Sequence, residues 1–179
     1  MEESIQIQTR IKARAVASEF SANARPLYLA PGVFARDRTG HIALTIDGIH
    51  PLKPLKIVHN ANLVVTAGKH WLADMMIGTK TTSLAYVGVG SGNSAPLATD
   101  TDVETPVGVR KVYSDRFRTD FTITISAFFG SAEANGTWNN AGVFDSYSGG
   151  SLFCKSTFNS PVQKKQTNTQ RVDLDIEIL

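Results

Sequence analysis

The stretch Arg118-Thr-Asp-Phe-Thr-Ile-Thr-Ile-Ser-Ala-Phe-Phe129 decides the fold. Thr119, Phe121, Ile123, Ile125, Ala127 and Phe129 alternate with Arg118, Asp120, Thr122, Thr124 and Ser126. A period of two sends the two sets to opposite faces of an extended chain, one apolar and one polar. The spacing predicts one long half-buried strand over residues 119–129. The same period returns near the end, where Val172, Leu174, Ile176 and Ile178 alternate with Asp173, Asp175 and Glu177. It also opens the chain, where Ile5, Ile7, Thr9, Ile11, Ala13 and Ala15 alternate with Gln6, Gln8, Arg10, Lys12 and Arg14. The alanines leave a helical continuation over 12–19 open.

Turn chemistry punctuates these segments. Asn135-Gly136 predicts a type I′ hairpin into Thr137–Phe144, because that turn needs positive φ at both central residues. Gly149-Gly150 reverses the chain into Leu152–Phe158, and Lys164–Thr169 reads as a polar turn. Ile42–Ile46, Leu84–Val89 and Val107–Tyr113 add short strands, and Gly88–Pro96 is a glycine- and serine-rich loop. One helix is expected at Ala67–Ile77, with Thr66 as N-cap, a Trp71, Leu72, Met75, Met76 stripe as its core face, and Gly78 as a left-handed C-cap. Strands at this spacing without a βαβ rhythm indicate a mainly β protein: an antiparallel β-sandwich, jelly-roll-like, with one short helix and an extended N-terminal arm. The expected division is an arm with a Pro- and Gly-containing connector over 1–58, and a sandwich domain over 59–179.

Composition narrows the function. The 179 residues carry a net charge of +2, an apolar share of 42% and one cysteine. That length can bury a core without disulfides or metals. A single cysteine excludes a disulfide framework and a cysteine-rich zinc site. Near-neutral charge argues against a nucleic-acid partner. No apolar run approaches the roughly 18–20 residues of a membrane helix, and the acidic start Met1-Glu2-Glu3-Ser4 lacks the form of a signal peptide.

The motifs that suggest chemistry fall short of it. Gly88-Val-Gly90-Ser-Gly92 lacks the third glycine and helix of a dinucleotide loop and the Gly-Lys-Ser/Thr of a P-loop. His41, His50, His59 and His70 have no metal-pair spacing. Cys154 reads as a small buried hydrophobe, with Lys155 on the opposite face. Asp100, Asp102 and Glu104 form a D-x-D-x-E series that raises calcium, but no EF-hand glycine or distal glutamate follows. Thr101 with Glu104 fits a capping box better. No catalytic residue, cofactor or metal is assigned. The basic face Arg10, Lys12, Arg14 complements the acidic face Asp173, Asp175, Glu177, and opposite charges across paired strands contribute about 0.2–1 kcal/mol per pair. These six are candidate assembly contacts, pairing the first strand with the last in the same or a neighbouring subunit. Trp138 and Tyr147 are candidate glycan contacts.

Several segments, taken in order, resemble a widespread group of bacteriophage virion proteins. They are His59-Asn-Ala-Asn-Leu-Val-Val-Thr-Ala-Gly-Lys-His-Trp-Leu-Ala-Asp, Tyr86-Val-Gly-Val-Gly-Ser-Gly-Asn-Ser-Ala-Pro, Ala98-Thr-Asp-Thr-Asp-Val-Glu-Thr-Pro-Val, Gly142-Val-Phe-Asp and Gly149-Gly-Ser-Leu-Phe-Cys-Lys. The resemblance covers residues 59–179 and rests on order and spacing. It implies a non-enzymatic β-sandwich building block of the tail, baseplate or fibre-attachment region, located in the virion and assembled in the bacterial host cytoplasm. Its expected partners are further copies in a symmetric homo-oligomer and other virion proteins. A capsid decoration protein and a carbohydrate- or receptor-binding module are the alternatives.

Overall fold

The period-two segments become strands of one antiparallel sheet. A computed structural model describes residues 11–30, 33–35, 43–49, 51–52, 54 and 56–178. The chain runs through β1 (Ile11–Ser21), four short strands β2 (Arg25–Pro26), β3 (Tyr28–Ala30), β4 (Val33–Phe34) and β5 (Leu44–Thr45), then β6 (Lys56–Val64) and helix α1 (Thr66–Met76). It continues through β7 (Tyr86–Gly90), β8 (Lys111–Val112), β9 (Asp115–Thr119), β10 (Thr122–Phe129), β11 (Gly136–Phe144), β12 (Leu152–Lys164) and β13 (Asn168–Ile178). The nine longer-range strands bond in the order β8-β7-β11-β12-β6-β1-β13-β10-β9, and β2-β5 and β3-β4 form two small separate pairs.

The protein is mainly β, antiparallel and sandwich-like. Both halves of the ladder feed one core: Val89, Trp138, Val143 and Cys154 from one side meet Ala17, Ile125, Phe129 and Leu174 from the other. The two packed faces belong to a single curled ladder, so the sandwich arises without jelly-roll connectivity being what carries it. Its two outermost strands, β8 and β9, are consecutive in the chain. Between them Ser114 donates its N–H to the Ser126 carbonyl (2.7 Å), so the chain steps from bonding β7 to bonding β10 within one short corner.

Residues 11–21 are extended, as an arm would be, but they are built into the middle of the ladder. β1 pairs with β13 from Ile11↔Ile178 to Ser21↔Asn168 and with β6 from Ala13↔Asn62 to Glu19↔Lys56. Both of its edges are therefore used, which leaves no helix at 12–19 and no edge with which to augment a neighbour. A division at residue 58 falls inside β6. Arg10 lies outside the described residues. The connector folds back over the outer face of β1, β13 and β10, where Ala24, Leu44 and Leu52 pack on Phe20 and Phe128.

One expected strand and one expected turn are corrected. The 119–129 run is two strands: Asp120 and Phe121 form a tight turn between β9 and β10, with Asp120 at φ 50°. The alternation runs straight through this turn, so periodicity alone could not reveal it. Asn135-Gly136 is not a hairpin, since β10 bonds β13 and β9 while β11 bonds β12 and β7. Residues 130–135 instead cross from one layer to the other. That crossing is closed by side chains: Glu133 accepts the Gly130 N–H (2.7 Å), and Trp138 Nε1 donates to the Ala134 carbonyl (2.7 Å). The β11–β12 reversal forms as expected, with Gly149 and Gly150 at φ 63° and 69°, a region that glycine enters without a Cβ penalty.

The helix forms where its apolar stripe predicts. Its N-cap is Val65 rather than Thr66, which is the first helical residue. The Thr66 N–H donates to the Ala98 carbonyl (2.8 Å), so a tertiary contact replaces a side-chain cap. Gly78 lies just past the C-cap at φ 76°. Of the stripe, Trp71 is buried and Met76 is exposed. The expected 107–113 strand shortens to Lys111–Val112.

Candidate functional site

The loop from residue 91 to 110, between β7 and β8, carries most of the polar chemistry. It doubles back on itself: Ser91 and Gly92 donate N–H groups to the Thr105 and Glu104 carbonyls at 2.9 and 3.0 Å. Asn140, fully buried on β11 beside a register shift, fastens it to the sheet. Its Nδ2 donates to the carbonyls of Gly92 (2.7 Å) and Glu104 (3.1 Å), and its Oδ1 accepts the Glu104 N–H (3.1 Å). A buried amide that spends both ends on backbone groups meets the need for every buried polar atom to find a partner. The loop comes close enough that a Cβ on Gly90 would stand 2.2 Å from the Glu104 carbonyl oxygen.

The three loop carboxylates diverge. Asp100 accepts from Lys155 Nζ (2.8 Å) and from the Leu97 N–H (2.9 Å). Asp102 accepts from the Val103 N–H (2.8 Å) and from Arg110 Nη2 (3.0 Å). Glu104 accepts from the N–H and hydroxyl of Ser94 at 2.8 and 2.9 Å. Three carboxylates engaged with three separate partners do not form a calcium cage, and no helical turn follows Thr101, so the capping box is not made either. Arg110 is spent as well, with Nη1 donating to the Ser146 and Gly149 carbonyls and Cζ lying 3.5 Å over the Phe144 ring. Burial pushes the Asp100 carboxyl up, but Lys155 and the Leu97 N–H together hold it below its ordinary value. The Ser94 donors lower Glu104 in the same sense.

Asp145, in the β11–β12 turn, follows this pattern. It takes Lys80 Nζ at 2.7 Å and the Ser151 N–H at 2.7 Å. Burial opposes ionisation there, yet those two donors and Thr82 hold the carboxyl below its ordinary value. Lys164 ties the 130–135 crossing to the turn between β12 and β13. Its Nζ donates to Ser131 O, Asn135 Oδ1 and Lys165 O at 3.1, 3.0 and 3.1 Å, while burial lowers its pKa against the opposing pull of Glu133. Desolvation pushes the buried Cys154 thiol up to about 12.

The strand register sets Lys12 opposite Glu177 and Arg14 opposite Asp175 within one chain. Asp173 stands opposite Val16 and is 0% exposed, bonded to Ser126 Oγ (2.7 Å) and to Arg171 Nε (2.7 Å). This differs from the expected assembly contact: Asp173 is buried within its own chain, on the sheet face over which the connector packs. Asp175 accepts from Thr124 Oγ1 (2.8 Å), and Glu177 is half-buried near the end of β13.

Of the two glycan candidates, Trp138 is 0% exposed and packs edge-on against Phe129 with ring centroids 4.9 Å apart, so it cannot stack on a sugar. Tyr147 is 53% exposed, 6.0 Å from the Tyr86 ring. His41 and His50 lie outside the described residues, and His70 is exposed on α1. Among the described residues, no group of three His, Cys, Asp or Glu side chains converges as metal ligands, and no helix is long and apolar enough to cross a membrane.

Sequence reasoning missed Asn140, Lys155, Arg110 and Arg171 as organising residues. One signal was available for the first. Asn139-Asn140 places two amides in succession inside a strand, where only one can face solvent without a bulge. No protein-family model, curated protein or solved structure matches this chain.

Proposed function

We propose that the chain is a non-enzymatic structural protein of a bacteriophage virion, placed in the tail, baseplate or fibre-attachment region. One observation supports this reading most. Four of the five segments that carry the phage resemblance converge into a single clasp. Tyr86–Pro96 and Ala98–Val107 fold on each other through Gly90, Glu104 and Ser94. The second is tied to Gly149–Lys155 by Asp100 and Lys155. Gly142–Asp145 joins the same turn through Asp145 and Ser151. The residues that make the resemblance are thus used to hold loops on a β framework, as a building block requires. The test is imaging and protein mass spectrometry of purified particles. Density at the tail or baseplate is the expected result. Density on the shell would replace this placement with the capsid decoration reading, and absence of the chain from particles would overturn both.

A further inference from the structure

An apolar groove opens between α1 and the end of the β10–β13 sheet. Its cavity is about 180 Å³, walled by Trp71, Leu72 and Met75 on one side and Ile123, Phe153 and Ile178 on the other. Large apolar side chains stand uncovered around the groove, which marks it as incomplete in a single copy: Phe121 is 75% exposed, Met76 81% and Ile77 73%.

We infer that a second copy of this chain covers the groove about a two-fold axis, each copy seating its Phe121 in the groove of the other. A two-fold contact requires knob and hole on the same face of one molecule. Phe121 borders the groove: its carbonyl accepts the N–H of Ile178, a groove residue, at 3.0 Å, and it continues the every-second-residue set of Ile123 and Ile125, which line it. A dry pocket of roughly 150 Å³ is enough to take a benzene ring, so the groove suits a phenyl side chain. Charge points the same way. Asp74 stands exposed on α1 beside the groove residue Met75, and Arg116 lines the facing wall, with its Cζ 4.7 Å over the Tyr113 ring. A two-fold axis turns the α1 wall of one copy toward the β9 wall of the other, bringing Asp74 to Arg116 twice. The inference deepens the assembly reading by naming its first contact, and its test does not depend on the virion.

Sedimentation velocity on the purified full chain, across a hundredfold concentration range, decides it. The chain is expected to dimerise. Phe121→Asp should weaken association at least tenfold, with the unfolding midpoint unchanged when both chains are measured dilute enough to be monomers, because the side chain is exposed in one copy. Asp74→Arg should weaken it too, and adding Arg116→Asp to that variant should restore it. A chain that stays monomeric throughout overturns the inference. So does a dimer indifferent to Phe121→Asp, or a charge swap without rescue. A groove-dependent dimer from a chain missing in particles would remove the virion reading and leave this contact standing.

Discussion

The chain contains the same acidic spacing twice, as Asp100-Thr-Asp102-Val-Glu104 and as Asp173-Leu-Asp175-Ile-Glu177. In the loop, the three carboxylates part company and each ties down a different neighbour. In β13 the strand pleat keeps them on one face, and the connector seals the first of them away from water. One pattern therefore yields three separate clasps in one place and, in the other, a ladder buried at Asp173 and half-buried at Asp175 and Glu177. Backbone conformation and covering layer, rather than spacing, decide what the carboxylates do.

The sharpest way to break the comparison is Asp173→Ala. It removes the carboxylate held by Arg171 and Ser126 in the dry ladder. Loss of one partner of a buried ion pair costs about 3–5 kcal/mol, which urea unfolding should read as a large fall in midpoint. A loss under 1 kcal/mol would show that the connector does not seal this face. Asn140→Ala tests the loop side. It strips partners from Gly92 and Glu104 backbone groups and should cost about 1–3 kcal/mol, with proteolysis appearing first within residues 91–110.

Acid sharpens the contrast further. Asp100, Glu133 and Asp145 all have carboxyl pKa values below their ordinary ones in the folded chain. Their contribution is fully present above the unfolded carboxylate range near pH 4, and it disappears as pH falls through the lower folded values. Thermal midpoints should be flat from neutrality to about pH 5 and then drop. Charge-neutral Asp100→Asn should flatten part of that drop. The smallest effect is expected for Asp102→Asn. Its side chain is nearly half exposed opposite Arg110, and such a pair is worth about 0–1 kcal/mol.

The alternating segments made the strands legible because a half-buried strand writes its two faces into the sequence directly. That same reading failed where the alternation outlived the strand, at Asp120-Phe121, and where a turn signal served a layer crossing, at Asn135-Gly136. Pairing partners are long-range and leave no local mark, so nothing in residues 11–21 told a central strand from a projecting one. The burial of Asp173 was equally silent. It goes with a connector, more than 100 positions away in the chain, that packs on Phe20 and Phe128 of the same sheet face. The clasp residues were hidden for a related reason: Lys155 and Arg110 look like ordinary surface cations until their acceptors are brought to them.

The short corner between β8 and β9 has one more consequence. A sheet with long bare margins is a template on which identical molecules stack without limit. Here the margins of the nine-stranded sheet are two residues and five residues long, and the longer one carries Arg116 and Arg118. These two margins therefore give another copy little backbone to bond, and the arginines on the longer one oppose its stacking on itself.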